Sequence, residues 1–185
     1  MSAFFARVLP LIGLLAATAS AHPLPDIPVR SHFDKDGNCT IKVEIDPRCF
    51  TADPESERYT MKADLKVMTE QERQELIQKA RDAVMNWVEF EFDPQGKLNL
   101  QFDFALTGLG EAELVNFDDP LVITGTCKLK IPAGSKGWRI HAKETTPYAV
   151  VFKNYLAGVE QPRFSVLFAG ETSFKLELTT APVSQ

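Results

Sequence analysis

The sequence predicts a mainly β protein: a two-sheet antiparallel β-sandwich carrying one α-helix at about residues 70–86. Three observations predict it. Apolar and polar residues alternate with a period of two in run after run. Turn residues such as Asp36-Gly37, Pro132-Ala133-Gly134 and Ala169-Gly170 separate those runs. Helical spacing preceded by a capping signal occurs once.

The first segment stands outside the fold. Residues 1–21 read as a secretory signal peptide, with Arg7 as the only charge, an apolar core from Val8 to Ala17, and a small-residue cleavage pattern at Ala19-Ser20-Ala21. The core is far shorter than the roughly 20 apolar residues a bilayer span requires. Cleavage after Ala21 exposes His22. Residues 22–28 then carry three prolines, which favour an extended, polyproline-like or edge-strand path.

Strand patterns follow. Cys39, Ile41, Val43 and Ile45 alternate with polar residues, and Tyr59, Met61, Ala63 and Leu65 suggest a further strand. The helix begins at the capping box Thr69-Glu70-Gln71-Glu72, and Leu76, Ile77, Ala80, Val84 and Trp87 mark its apolar face. It passes directly into a strand at Val88. Two strong runs, Val88–Phe92 and Leu98–Leu106, flank Asp93-Pro94-Gln95-Gly96 and predict a hairpin. Leu121–Ile131 and Trp138–Ala142 read as strands. So do Phe164–Phe168, with Phe164, Val166 and Phe168 inward, and Phe174–Leu178. Residues 22–179 are expected to form one domain and 180–185 a flexible tail.

Removing 21 residues leaves 164, enough for one domain with a sizeable core. The whole chain carries −5; losing Arg7 leaves 19 basic residues against 25 acidic, or −6. No basic run is present, which argues against nucleic acid as a partner. An acidic surface mildly favours cations. No transmembrane segment is expected in the mature chain, and its location should be extracytoplasmic, periplasmic or secreted. The three cysteines, in an oxidising compartment, predict one disulfide and one spare thiol. Cys39 and Cys127 share inward parity and are the expected pair. A strand of about seven residues, spanning roughly 23 Å, separates Cys39 from Cys49; a bulge near Glu44 would reopen that local pairing.

His22 is the candidate site. Its α-amine and imidazole form a chelate, and one further histidine would complete a nitrogen site suited to a copper or nickel ion. The candidate partners are His32 and His141, each placed by parity on a polar face beside Arg30 or beside Arg139 and Lys143. The plainer account makes His22 the residue left by cleavage and the other two solvated strand residues. Glu89, Glu91, Asp93 and Asp103 fall on one outward face, where a solvated surface is the simpler reading than a calcium or acid–base site. Asp34-Lys35-Asp36-Gly37-Asn38 fits a hairpin turn better than a calcium loop. No nucleophile elbow, phosphate loop, zinc helix or dinucleotide fingerprint is present. No catalytic residue is assigned.

Three stretches carry a family resemblance: Ala21-His22-Pro23-Leu24-Pro25-Asp26, Ile131-Pro132-Ala133-Gly134, and Phe164 to Phe174. They resemble the extracytoplasmic amino-terminal domain of bacterial membrane proteins of the HupE/UreJ type. In that family the domain precedes a helical membrane domain associated with nickel or cobalt uptake, which is not expected within these 185 residues. The resemblance implies an exported β-domain with an accessory role around a membrane protein or metal ion. The leading expectation is therefore a non-enzymatic accessory or binding domain that handles a transition metal or associates with a membrane transporter. A glycan- or protein-binding module is the second expectation. A copper-dependent polysaccharide monooxygenase using His22 is the third.

Overall fold

The computed structural model describes residues 24–163 and 165–178. The predicted signal peptide, its cleavage at Ala21, the candidate ligand His22 and the tail 180–185 lie outside the described residues. The fold is mainly β, with two sheets and one helix.

The larger sheet has seven strands. It contains β1 (Ile27–Phe33), β2 (Asn38–Ile45), β5 (Asp103–Gly108), β6 (Leu121–Lys130), β8 (Val150–Leu156), β9 (Val159–Glu160) and β10 (Ser165–Leu167). Their order is β10-β8-β1-β2-β6-β5, with β9 added to β8. All pairings are antiparallel except β1 with β8, which is parallel. The smaller sheet is ordered β11-β7-β3-β4. Its strands are β3 (Val88–Asp93), β4 (Gly96–Leu98), β7 (Gly137–Ala142) and β11 (Leu176–Glu177).

The inward positions of the two sheets meet in one core. Ile27, Val29, Ile41, Val43 and Ile123 point into it from the larger sheet, and Phe90, Phe92, Trp138 and Ile140 from the smaller. Aromatic contacts join the layers: the Phe33 ring lies 5.6 Å from Trp138 and 6.4 Å from Phe92. Each fully buried side chain of this size contributes roughly 1.5–3 kcal/mol. Gly125 is required by close packing, since a Cβ there would lie 2.6 Å from Phe104 Cε1.

The predicted helix is α1 (Glu70–Trp87). The Thr69 hydroxyl accepts from Glu72 N at 3.2 Å, and the Glu72 carboxylate accepts from Thr69 N at 2.7 Å, so two end donors are satisfied reciprocally. Ala80, Ala83 and Val84 are buried. The helix packs on β3, β5 and β6 and runs straight into β3, as its sequence indicated.

Four expectations change. The proline-rich lead-in enters an interior strand, because β1 lies between β8 and β2; Pro28, at its second residue, faces outward and forgoes one ladder hydrogen bond. Residues 59–65 form a single bridge, Met61 to Pro120, and a 3-10 turn at Lys62–Lys66. Asp64 explains the turn: its carboxylate accepts from Met61 N at 2.8 Å and stops extension. The run 98–106 divides between sheets, with Leu98 opposite Phe90 and Asp103 opposite Thr126. Phe102 stays buried at the crossing, 5.7 Å from Phe90. In β10 the parity is reversed: Leu167 faces Val150 and is buried, while Val166 and Phe168 are exposed.

Candidate functional site

One end of the seven-stranded sheet gathers the features that could recognise another molecule. There β1, β6 and β8 begin and β2 and β5 end, as the pairs Ile27 with Val150, Ile45 with Ile123 and Gly108 with Leu121 record. The sequence turns sharply after Ile45. Asp46 caps the 3-10 turn Pro47–Phe50 by accepting from Arg48 N at 2.9 Å, with Pro47 preset for the first turn. The Arg48 side chain folds back, and its Nε and Nη2 donate to Asp46 Oδ2 at 2.9 and 2.8 Å. Both residues are buried. The guanidinium also lies 3.8 Å from the centroid of the Tyr59 ring. A charge removed from water this completely is tolerated only because its partner is fixed beside it.

Above this pair opens a cavity of about 170 Å³, lined by Leu24, Asp26, Glu44, Tyr59, Leu109 and Val122 among others. Glu44 is held by an ion pair with Arg30 and accepts from Gly110 N at 3.4 Å. Burial raises the Asp26 carboxyl above its ordinary value; a backbone hydrogen bond opposes the shift and the Asp46 charge adds to it. The walls therefore combine fixed charges with apolar carbon.

The rim is apolar and exposed. Leu24 and Leu109 stand at the cavity mouth. Next to Tyr59, Thr60 O accepts from Leu121 N at 2.7 Å. Ala63 N donates to Phe117 O and Lys62 N to Asp119 O, both at 2.9 Å, so the loop 112–120 packs on the turn at Lys62–Lys66. That pairing presents Val67, Val115 and Phe117, which are 82%, 65% and 60% exposed.

A second cavity, about 370 Å³, lies under the end of α1, with Val84, Phe90, Leu98 and Phe102 in its walls. Its two lining lysines are already partnered within the cavity wall. Lys97 pairs with Glu89 at 2.8 Å, and Lys143 Nζ donates to Met85 O at 2.7 Å.

The predicted site residues disperse. His32 lies on the outer face of β1, four residues beyond Pro28, with its ring stacked 4.2 Å from that of Tyr155. Burial lowers its pKa, and Lys42 adds to the effect. His141 lies on the outer face of β7 in the other sheet, where its Nδ1 is 2.9 Å from Thr172 Oγ1. The two histidines thus occupy opposite outer surfaces, and the structure does not bring them together. Among the described residues, no group of three or more His, Cys, Asp or Glu side chains is placed to hold a metal ion.

The cysteines are free, which differs from the expected Cys39–Cys127 bridge. The two do share an inward face on neighbouring strands. Register separates them: Cys39 faces Leu129 and Cys127 faces Ile41, a diagonal relation. Diagonal neighbours stand roughly 7–8 Å apart, beyond the roughly 4.4–6.8 Å between bridged Cα atoms. The β2–β6 ladder is unbroken from Asn38 to Ile45, so no bulge near Glu44 carries Cys49 back to Cys39. Burial raises all three thiols, Cys49 to about 12, which leaves them protonated at neutral pH and poor as nucleophiles.

The acidic face resolves into cross-strand ion pairs. Glu91 meets Arg139 at 3.2 Å and Asp93 meets Lys175 at 3.4 Å. Asp103 belongs to the other sheet. The Asp34 carboxylate accepts from Asn38 Nδ2, Asn38 N and Asp36 N and closes the β1–β2 hairpin turn. What the sequence reading missed is the Asp46–Arg48–Tyr59 cluster. Its one local signal was Asp46-Pro47, a capping residue followed by proline. No helix among the described residues is long and apolar enough to cross a membrane. No protein-family model matches the chain, and no curated protein matches it.

Proposed function

We propose that the protein is an exported, non-catalytic binding domain whose recognition surface is the end of the seven-stranded sheet around Leu24, Leu109 and Phe117. One observation carries the reading: exposed large apolar side chains gather there, around a cavity floored by a buried ion pair. Contiguous exposed apolar surface is what interaction sites have and idle surfaces lack. The buried thiols and the separated histidines offer no support for a nucleophile or a histidine-held copper centre. The accessory role around a membrane protein rests on the resemblance of the three sequence stretches.

The dye 8-anilinonaphthalene-1-sulfonate tests this reading. Its fluorescence should rise on binding the folded protein and fall back in Val67→Ser/Phe117→Ser, with the urea midpoint unchanged. A dye signal indifferent to these substitutions, or cellohexaose shifting amide resonances on a sheet face, would overturn it.

A second reading places a transition metal at the mature terminus. Its support is that Leu24, two residues after His22 in sequence, lines a cavity also lined by the carboxylates of Asp26, Glu44 and Asp46. Isothermal titration of the processed protein with Cu²⁺ and Ni²⁺ tests it. Affinity equal to that of a protein with one extra residue before His22 would rule it out.

A further inference from the structure

The charge of this chain is concentrated rather than spread. Segments 53–67 and 109–119 together hold eight carboxylates and three cations, a net charge of −5, which equals that of the whole chain. The rest of the chain therefore balances, with 17 of the 20 basic and 17 of the 25 acidic residues. These two segments meet beside the cavity, where Lys62 N and Ala63 N donate to Asp119 O and Phe117 O. They also carry Val67, Leu109, Val115 and Phe117, all exposed. One surface thus combines exposed apolar carbon with the acidity of the molecule.

The cations of this surface are already engaged. Arg58 donates twice to Asp64 at 2.8 Å, Lys62 Nζ donates to Val115 O at 2.7 Å, and Lys66 Nζ lies 3.9 Å from the Phe117 ring centroid. Three of the carboxylates are engaged as well. Asp64 and Glu111 are paired with Arg58 and Lys42, and Asp119 accepts from Val115 N and Asn116 N. Asp53, Glu55, Glu57, Glu113 and Asp118 are exposed and form no ion pair among the described residues. Glu113 stands two positions before Val115, and Asp118 directly follows Phe117.

That combination selects the occupant. A second copy docked end to end would set unpaired carboxylates against one another. A lipid surface deep enough to cover Val115 and Phe117 would also have to desolvate Glu113 and Asp118 without a partner. A segment carrying apolar residues on one face and Lys or Arg beside them satisfies both features at once, by apolar anchoring and by opposite charge at the rim. We infer that this end recognises a basic amphipathic segment of another protein, with its apolar anchors on Val67, Leu109 and Phe117 and its cations facing Glu113 and Asp118. The inference names the partner for the surface proposed above and rests on that reading.

A dansylated leucine–lysine peptide, with the two residue types on opposite faces of a helix, tests it against the exported protein. The inference expects amide resonances of 59–67 and 109–120 to shift on binding, while those of 157–160 stay in place. Affinity should fall at least tenfold in Val67→Ser/Phe117→Ser and at least threefold in Glu113→Gln/Asp118→Asn, with urea midpoints unchanged. Added salt should weaken the wild type more than the charge variant, because rim charges carry the salt dependence. Absent binding, affinity indifferent to either pair of substitutions, or equal affinity for a leucine–glutamate peptide overturns the inference. Shifts at 109–120 that grow with protein concentration alone, or that phosphatidylcholine vesicles produce and the peptide does not, also overturn it. The dye experiment reads the surface separately: a dye signal lost in Val67→Ser/Phe117→Ser, with the peptide ignored, leaves the apolar surface standing and removes this partner.

Discussion

Asp46→Ala removes the carboxylate paired with a guanidinium whose side chain is 3% exposed. Two hydrogen bonds to Arg48, at 2.9 and 2.8 Å, disappear together with the cap that accepts from Arg48 N. Breaking one side of a buried ion pair costs about 3–5 kcal/mol, because the surviving charge stays desolvated. For a domain of this size, about 2–4 °C of melting temperature accompanies each kcal/mol. The variant should therefore melt roughly 6–20 °C below the wild type and unfold at markedly lower urea. The companion Asp46→Leu/Arg48→Met replaces both charges with apolar groups, and such replacements are often neutral or stabilising. It should recover most of the loss. Urea unfolding followed by tryptophan fluorescence measures both. A loss under about 1 kcal/mol in Asp46→Ala, or a double variant no better than the single, would refute the claim that a desolvated charge pair holds this end together.

Further outcomes follow from other contacts. Gly125→Ala places a Cβ 2.6 Å from Phe104 Cε1, which should destabilise by about 1–3 kcal/mol; Phe104→Leu in the same chain should restore part of it, read by urea midpoints. Ser31 Oγ is fully buried without a hydrogen-bond partner, so Ser31→Ala should stabilise by about 1 kcal/mol, and a fall in the midpoint would contradict that. The Arg58 guanidinium and the Met61 N–H hold the Asp64 carboxyl at about 2. Because this folded value is depressed, the group's stabilisation is complete above about pH 4 and is lost as pH falls toward 2. Between pH 4 and 2 the wild type should therefore lose more stability than Asp64→Asn in parallel urea titrations.

Legibility in the sequence tracked local physics. The helix was readable because its capping box and its apolar face both lie within 20 consecutive residues, Thr69 to Val88. The strands with uninterrupted alternation, β2 and β3, were readable for the same reason. β1 and β8 were obscured by each other: Ser31 and Asn154 occupy inward positions opposite one another, so neither strand shows a clean apolar parity. Their parallel pairing joins residues far apart in the chain, which no local pattern records. β10 misled because Val166 and Phe168 are apolar residues on an outward face, so their parity reads as the reverse of the strand's true one. The candidate site was hidden for a related reason. Asp46 and Arg48, Tyr59, Leu109 and Phe117 come from separate segments, and the turns that unite them depend on the packing of Lys62–Lys66 against 112–120.

The most direct test of the central claim is carbene footprinting of the exported protein in the intact envelope of the cells that export it. The account predicts that Leu24, Val67, Leu109 and Phe117 are masked relative to the purified protein, while Met85 and Val159 label equally in both. Equal labelling of all six, or masking confined to the outer sheet faces around His32 or His141, would contradict it.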